Sequence, residues 1–412
     1  MKNNNVIGIV AEYNPFHKGH AYQITTAKKL IGDSTILAVM SGSFVQRGEP
    51  ALTDKWARAK MAIAGGVDLV IELPAIYACR SGQSFAQGAL GILQATGCIT
   101  HLVFGCETRT PEILQAMAQI KINTKELQSY MKLGLTYAGA METLLNNKFP
   151  NYDKIIKSPN NILALEYYRA LNTLKSSIIP LPILRHGAGY LDKNITTLFP
   201  GASAIREYIL SKGVTKELIA ALPRNVFEQL IVLQENQLLG IQNDKLTAIL
   251  NYTLAKLEAA SIAEHCDTSE GLENKLADNC NCTDFANLVN KIKSKRYPAT
   301  RIQRLLCQLL ISTPQVPFAA TGDIAPSYLR VLAFNDRGRK LLKIMKASAT
   351  LPVLTKLGKN IFTKYPDADF YNTLKTEITA TNVYDILQGN GNYNRDYTTS
   401  AIYVSNQPKL LK

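Results

Sequence analysis

Two histidines separated by a lysine and a glycine, in the run Asn14-Pro15-Phe16-His17-Lys18-Gly19-His20, are the residues of this chain best suited by type and spacing to do chemistry. Imidazoles at such positions donate hydrogen bonds to phosphoryl oxygens, whose charge grows as an α-phosphorus is displaced, so they stabilise that transition state. Gly19 has no Cβ and lets the backbone come close to an anion. The same pair can also be read as two residues of a polar loop. As zinc ligands they would need a third ligand at metal spacing, and the neighbouring sequence supplies none. The expectation is a phosphate-handling site with no protein-held metal.

Such a site needs elements to position it. Val6 to Ala11 is a continuous apolar run, the pattern of a strand buried on both faces of a parallel sheet. A loop from Glu12 to Lys18 follows, then a helical stretch from about Gly19 to Leu30. The histidines thus fall where a strand meets a helix, where ligands of parallel sheets bind and where a helix start offers free N–H groups and the positive end of its dipole. Further strands are expected at Thr35–Met40, Val67–Leu73, His101–Gly105 and Ile178–Leu184, with helices near 54–64 and 84–95. This alternation implies right-handed crossovers and an α/β fold with a doubly wound parallel sheet.

From Ala204 the apolar period becomes helical, as at Leu218, Leu222, Phe227, Leu230 and Leu233, and residues 265–284 read as a polar loop. A boundary near 210 is expected, with 1–210 as the nucleotide-type domain and 211–412 as a mostly helical C-terminal domain. A chain of 412 residues is too long for one ordinary core. It has no apolar run near the roughly 20 residues a membrane span needs. The apolar run Val6 to Ala11, ended by Glu12, is too brief for a signal-peptide core. Seven scattered cysteines give no disulfide framework, which suggests a reducing cytoplasm.

The net charge is +14, shared evenly by the two halves, but it is locally concentrated in the second. Lys291, Lys293, Lys295, Arg296, Arg301 and Arg304 stand together with no acid between them and with Tyr297 interleaved. Arg330, Arg337, Arg339, Lys340, Lys343 and Lys346 face only Asp336. Concentration of this kind is the footprint of a polyanion partner, although a solvated basic surface explains it too.

His17-Lys18-Gly19-His20 resembles the H-x-G-H signature of the nucleotidylyltransferase superfamily, and Ser203-Ala204-Ile205-Arg206 resembles its S-x-x-R element. In that likeness Ser203 caps a helix and meets phosphate, and Arg206 neutralises the β- and γ-phosphates; the alternative is an ordinary N-cap with a surface arginine. A closer resemblance spans nearly the whole chain. Gly8 to His17, Ser41 to Pro50, Gly66 to Pro74 and Ser158 to Ala164 are similar to segments of the bacterial tRNA(Met) cytidine acetate ligases. That likeness implies a nucleotidylyltransferase-type, Rossmann-like sheet and an enzyme that activates acetate with ATP as acetyl-adenylate. It then passes the acetyl group to N4 of the wobble cytidine of elongator tRNA(Met), releasing AMP and pyrophosphate. A small-molecule adenylyltransferase of the same fold is the alternative, and an RNA-binding protein with a relic nucleotide site a third reading.

The resemblance further implies His17, His20 and Arg206 as catalytic residues, with Mg2+ on the phosphates. ATP contacts would come from Ile7, Gly8, Val10, Ala11, Glu12, Tyr13, Asn14, Phe16, Gly19, Gly105, Asn160 or Asn161, Arg185, His186 and Ser203. Gly105 ends an apolar strand, where a missing side chain admits adenine or ribose. Of the two asparagines Asn161 is favoured, and either can instead be an N-cap. Gln46, Arg47 and Lys55 would face acetate or the RNA, unless Asp54 caps the next helix and leaves Lys55 solvated. The basic run 291–304 would track RNA phosphates.

Overall fold

The computed structural model describes residues 5–133, 135, 137–152, 155–185, 195, 199–269, 271–279 and 281–405. Its strands are β1 (Asn5–Ala11), β2 (Ser34–Ser41), β3 (Phe44–Val45), β4 (Glu49–Pro50), β5 (Leu69–Leu73), β6 (His101–Cys106), β7 (Ile179–Leu184), β8 (Leu329–Phe334), β9 (Val353–Leu354) and β10 (Ile402–Tyr403). The main sheet runs β10-β8-β5-β2-β1-β6-β7, with β9 beside β8, while β3 and β4 form a separate hairpin. The pairs of β1, β2, β5, β6 and β7 are parallel.

The apolar runs that predicted these strands are explained by burial on both faces. Ile7, Ile9, Ile36, Ala38 and Met40 pack in one core, and Val6, Leu37 and Val39 in the other. Helix α1 (Lys18–Ile31) and helix α2 (Lys55–Ala64) lie where the sequence places them. Gly8 has a packing role: a Cβ there would lie 2.9 Å from Leu93 Cδ2, so the glycine lets the helix Gly82–Ala95 sit close to the sheet. From β1 the chain proceeds outward to β2 and β5, then crosses back to β6 and β7 on the other side. The crevice between the carboxyl ends of β1 and β6 is therefore the topological switch point of the sheet, where such folds bind ligands.

Two expectations need correction. The boundary near residue 210 divides the chain but not the sheet, because β8, β9 and β10 all come from beyond it. β8 lies antiparallel against β5 and carries the buried Val331, Leu332 and Ala333. A six-residue apolar strand set among helices gives no alternation to read. Residues 265–284 are also no simple polar loop. They include the helix Leu272–Ala277, and Cys266, Leu272, Leu276 and Cys282 are buried against the helical core.

The two halves are joined by a buried charge cluster. Lys55 Nζ lies 2.7 Å from Glu72, 3.3 Å from Glu377 and 3.0 Å from Asp396, all essentially without solvent access. Glu377 belongs to the helix Ala368–Gln388, so α2, β5 and that helix meet at one cation. Among the described residues the cysteines are free, and no helix is long and apolar enough to cross a membrane.

Candidate functional site

His17 is the N-cap of α1, with extended backbone angles of −139° and 173°. Its Nδ1 accepts the Gly19 N–H at 3.0 Å, and Nδ1 of His20 accepts the His17 N–H at 3.2 Å. This is a reciprocal capping box in which imidazoles replace the usual hydroxyl and carboxylate. Both Nδ1 atoms act as acceptors, so each neutral ring carries its proton on Nε2. The rings stack with centroids 3.8 Å apart. Burial, with the Arg185 guanidinium adding to it, lowers His17 to about 3. His20 is also held well below its ordinary value, first by burial and then by His17 and Arg185. The pair is thus two neutral Nε2–H donors.

Two parts of the expectation change here. Gly19 is needed because a Cβ would lie 2.8 Å from His17 Cε1 and 3.0 Å from Nδ1, so the capping ring itself excludes a side chain. The helix start does not offer free amides. Lys18 N–H donates to the Ala221 carbonyl, Gly19 N–H to His17, and those of His20 and Ala21 to the His17 carbonyl. What faces a ligand is imidazole.

The histidines line a cleft at the switch point. Val10 and Ala11 of β1, Gly105 of β6, Asn160 and Arg185 line it too. So do Tyr22, Gln23, Phe104, Tyr167 and Phe199, which the sequence reading did not single out; Tyr22 meets Phe199 at 5.3 Å and Phe104 meets Tyr167 at 5.4 Å. Gln23 lies three residues after His20 on α1, and that helical spacing was the available signal. At Gly105 a Cβ would lie 3.0 Å from Arg185 Cγ, so this glycine makes room for the arginine stem.

Asn160 and Asn161 exchange their expected parts. Asn161 is buried and structural: its Oδ1 accepts the N–H groups of Glu107 (2.7 Å) and Thr108 (3.3 Å), and its Nδ2 donates to the Ile155 carbonyl. Asn160 is the one on the cleft wall, bonded to Glu107. Neither is an N-cap, a place held by Ser158. His186 lies outside the described residues.

Other expected nucleotide contacts support the wall without forming it. Ile7 is in the core. Tyr13 and Phe16 are buried against the His20 ring, at 4.8 and 5.4 Å. Asn14 Oδ1 accepts the Leu52 N–H at 2.8 Å, and Glu12 Oε1 accepts the Gln46 N–H at 3.0 Å. The buried Arg58 donates to the carbonyls of Glu12 (2.7 Å), Ser41 (3.0 Å) and Thr53 (3.1 Å), tying together the loops that leave β1 and β2.

The S-x-x-R element sits differently from expectation. Gly201 is the N-cap of the helix Ala202–Lys212, so Ser203 lies in its first turn and caps nothing. Arg206 is not among the cleft-lining residues. One Nη donates to the Asn14 carbonyl at 2.8 Å and the other pairs with Glu49 on the β3–β4 hairpin.

Lys55 is neither solvated nor substrate-facing, because three carboxylates hold it in the interior; Asp54 does cap α2, accepting from Trp56 and Ala57 N–H. Gln46 and Arg47 are on the hairpin turn. Lys291, Lys293, Lys295 and Arg296 are exposed, Arg301 is half-buried, and burial pushes the Arg304 guanidinium down. Tyr297 is buried beneath Lys275, Arg296 and Arg301, whose charged groups lie 5.1 to 6.0 Å from its ring, so it is no open stacking platform. In the second run Arg330 is fully buried, donating to the Asp396 and Thr399 carbonyls, and Arg337 is paired with Asp33.

A mostly parallel sheet whose switch-point crevice is walled by a stacked H-x-G-H pair and an arginine defines an α/β nucleotidyltransferase-type protein. The family model described as HIGH Nucleotidyl Transferase matches residues 4–399, and the chain belongs to that family. A relative named tRNA(Met) cytidine acetate ligase, from Clostridium novyi (strain NT), is 37% identical over 97% of this chain and 100% of its own length. Another of the same name, from Alkaliphilus metalliredigens (strain QYMF), is 36% identical over 97% of this chain and 98% of its own. The crystal structure of Thermotoga maritima TmcAL superposes with a TM-score of 0.90 at 30% identity, covering 98% of this chain and 100% of that one. A second form, bound with alpha-thio ATP, gives 0.87 at 29% identity over the same shares.

Proposed function

We propose that this protein is an ATP-dependent tRNA(Met) cytidine acetate ligase working in the cytoplasm. An acetate oxygen attacks the α-phosphorus of ATP, the bond to the β-phosphate oxygen breaks, and pyrophosphate leaves. N4 of the wobble cytidine then attacks the acetyl carbon, the anhydride C–O bond breaks, AMP leaves, and the amine gives up a proton. Neither step needs a protein nucleophile, and burial pushes the Cys79, Cys266 and Cys307 thiols up, away from the reactive thiolate.

The observation that carries the reading is the geometry of His17 and His20: neutral, stacked, with Nδ1 locked and Nε2–H available. Preorganised neutral donors aimed at phosphoryl oxygens lose no energy to reorientation as charge develops there. Arg185 places a guanidinium beside them, and Gly105 and Asn160 border the space for the nucleoside. Among the described residues no three His, Cys, Asp or Glu side chains converge as a protein-held metal site, so Mg2+ would be held mainly by the phosphates of ATP. Arg206 stands next to this wall, ready for the polyphosphate tail if it leaves Glu49.

The RNA reading rests on the exposed Lys291, Lys293, Lys295 and Arg296. The helix Ala299–Ile311, with Arg301 and Arg304, reaches from this run to the β3–β4 hairpin, which carries Gln46 and Arg47. We assign ATP chemistry mainly to residues 1–210 and RNA docking to the helical, basic part of 211–412. The test is mass spectrometry of nucleosides from tRNA incubated with protein, ATP and isotopically labelled acetate. Labelled acetylcytidine confined to elongator tRNA(Met) is expected. A stable adenylylated small product formed without RNA, or acetylation that needs acetyl-CoA, overturns the reading.

A further inference from the structure

The hairpin formed by β3 and β4 stands between the cleft and the basic helix, and three parts of the protein grip it. The Gln46 N–H donates to Glu12 Oε1 at the carboxyl end of β1. Gly48, at a φ of 77°, lies so close to the backbone of Gln303 and Arg304 that any side chain would collide with it. Glu49 pairs with Arg206, which also donates to the carbonyl of Asn14, three residues before His17. Burial raises the Glu12 carboxyl; against it Arg206 draws it down, Glu49 pushes it up and Arg47 draws it down, so two carboxylates and two guanidiniums act on one another here.

We propose that Glu49 is a positioning residue that competes with the nucleotide's phosphates for Arg206 and so couples the cleft to the helix bearing Arg301 and Arg304. This rests on the reading that ATP occupies the cleft. A guanidinium already neutralised by a carboxylate has little charge left for a polyanion. As phosphate oxygens approach, they and Glu49 seek the same donors, and their like charges repel. Displacing Glu49 loosens β4 and, one residue before it, the seat of Gly48 against Arg304. Nucleotide affinity and RNA affinity are thereby linked, and such linkage acts equally in both directions.

Glu49→Gln keeps the size and one acceptor of the side chain and removes only its charge. Titration with an ATP analogue that cannot release pyrophosphate, with and without tRNA, reads the effect in wild type, Glu49→Gln and Glu49→Asp. The analogue's Kd is expected to fall about three- to tenfold in Glu49→Gln, as removal of one nearby like charge implies, and to stay closer to wild type in Glu49→Asp. In wild type the analogue changes the Kd for tRNA; in Glu49→Gln that change shrinks to less than about twofold. An unchanged or raised analogue Kd in a folded Glu49→Gln protein overturns the proposal. Should that variant not fold, hydrogen exchange at the 45–48 amides of the wild type decides: acceleration by the analogue supports competition, and unchanged or slowed exchange refutes it. Wild type that binds no analogue removes the ATP reading itself, a failure separate from any result at Glu49.

Discussion

Stability should fall steeply as the medium is acidified below neutrality, and His17 and His20 should be the cause. In the folded chain burial, reinforced by Arg185, holds His17 down to about 3 and His20 well below its ordinary value; unfolded, each titrates near 6.5. A base whose folded pKa lies below its unfolded one contributes fully above pH 6.5 and loses that contribution as the pH falls, because only the unfolded chain takes up the proton. Between pH 7.5 and 5.5 the loss integrates to about 1.4 kcal/mol per ring, about 2.7 kcal/mol for the pair. Burial raises the Glu12 and Glu72 carboxyls, so their protonation in the folded state offsets part of the loss in more acidic solution. The histidine share is therefore read by difference. Guanidinium denaturation of wild type and of a His17→Gln/His20→Gln double variant at both pH values should show the wild type losing roughly 2–3 kcal/mol more. Equal losses would mean that the rings are protonated in the native cleft, and the picture of two neutral donors would be wrong. Pyrophosphate exchange gives an independent check, since a wild-type rate that tracks an ionisation near 6.5 speaks against it as well.

Gly19→Ala sets a methyl against the capping ring of His17, which His20 holds in place; roughly 1–3 kcal/mol of destabilisation and at least a tenfold loss of ATP–pyrophosphate exchange are expected from thermal melts and radiolabel assays. Lys55→Met strands Glu72, Glu377 and Asp396 in the interior, and denaturant titration should show a loss of about 3–5 kcal/mol. The combined Lys291→Ala, Lys293→Ala, Lys295→Ala and Arg296→Ala variant should bind tRNA more weakly. Each lost phosphate contact should flatten the plot of log affinity against log salt by about 0.7–0.9, while RNA-free pyrophosphate exchange falls less than about twofold; an unaltered salt slope would place the RNA elsewhere.

The central sheet was legible because its strands are unbroken apolar runs, which only burial on two faces rewards, and because α1 and α2 follow at helical period. H-x-G-H was legible because two imidazoles beside an opening strand are rare chemistry. The contributions of Gly19, Gly105 and Asn161 were not, since they depend on a ring, an arginine stem and a distant loop that approach only in three dimensions. Arg206 shows the limit best: its motif is local, but its partner Glu49 is 157 positions away along the chain. Lys55 and Arg330 read as surface charge, and it took the folded cluster of carboxylates and carbonyls to draw them inside.

β8 closes the flank of β5 with a segment made some 260 positions later. While the ribosome is still building the middle of the chain, Leu69 and Ile71 therefore present an open, sticky margin able to pair with any passing strand. Shortened forms that end after the first half should clump when expressed alone. The sheet begun by the first half of the chain thus completes its folding only once most of the second half has been synthesised.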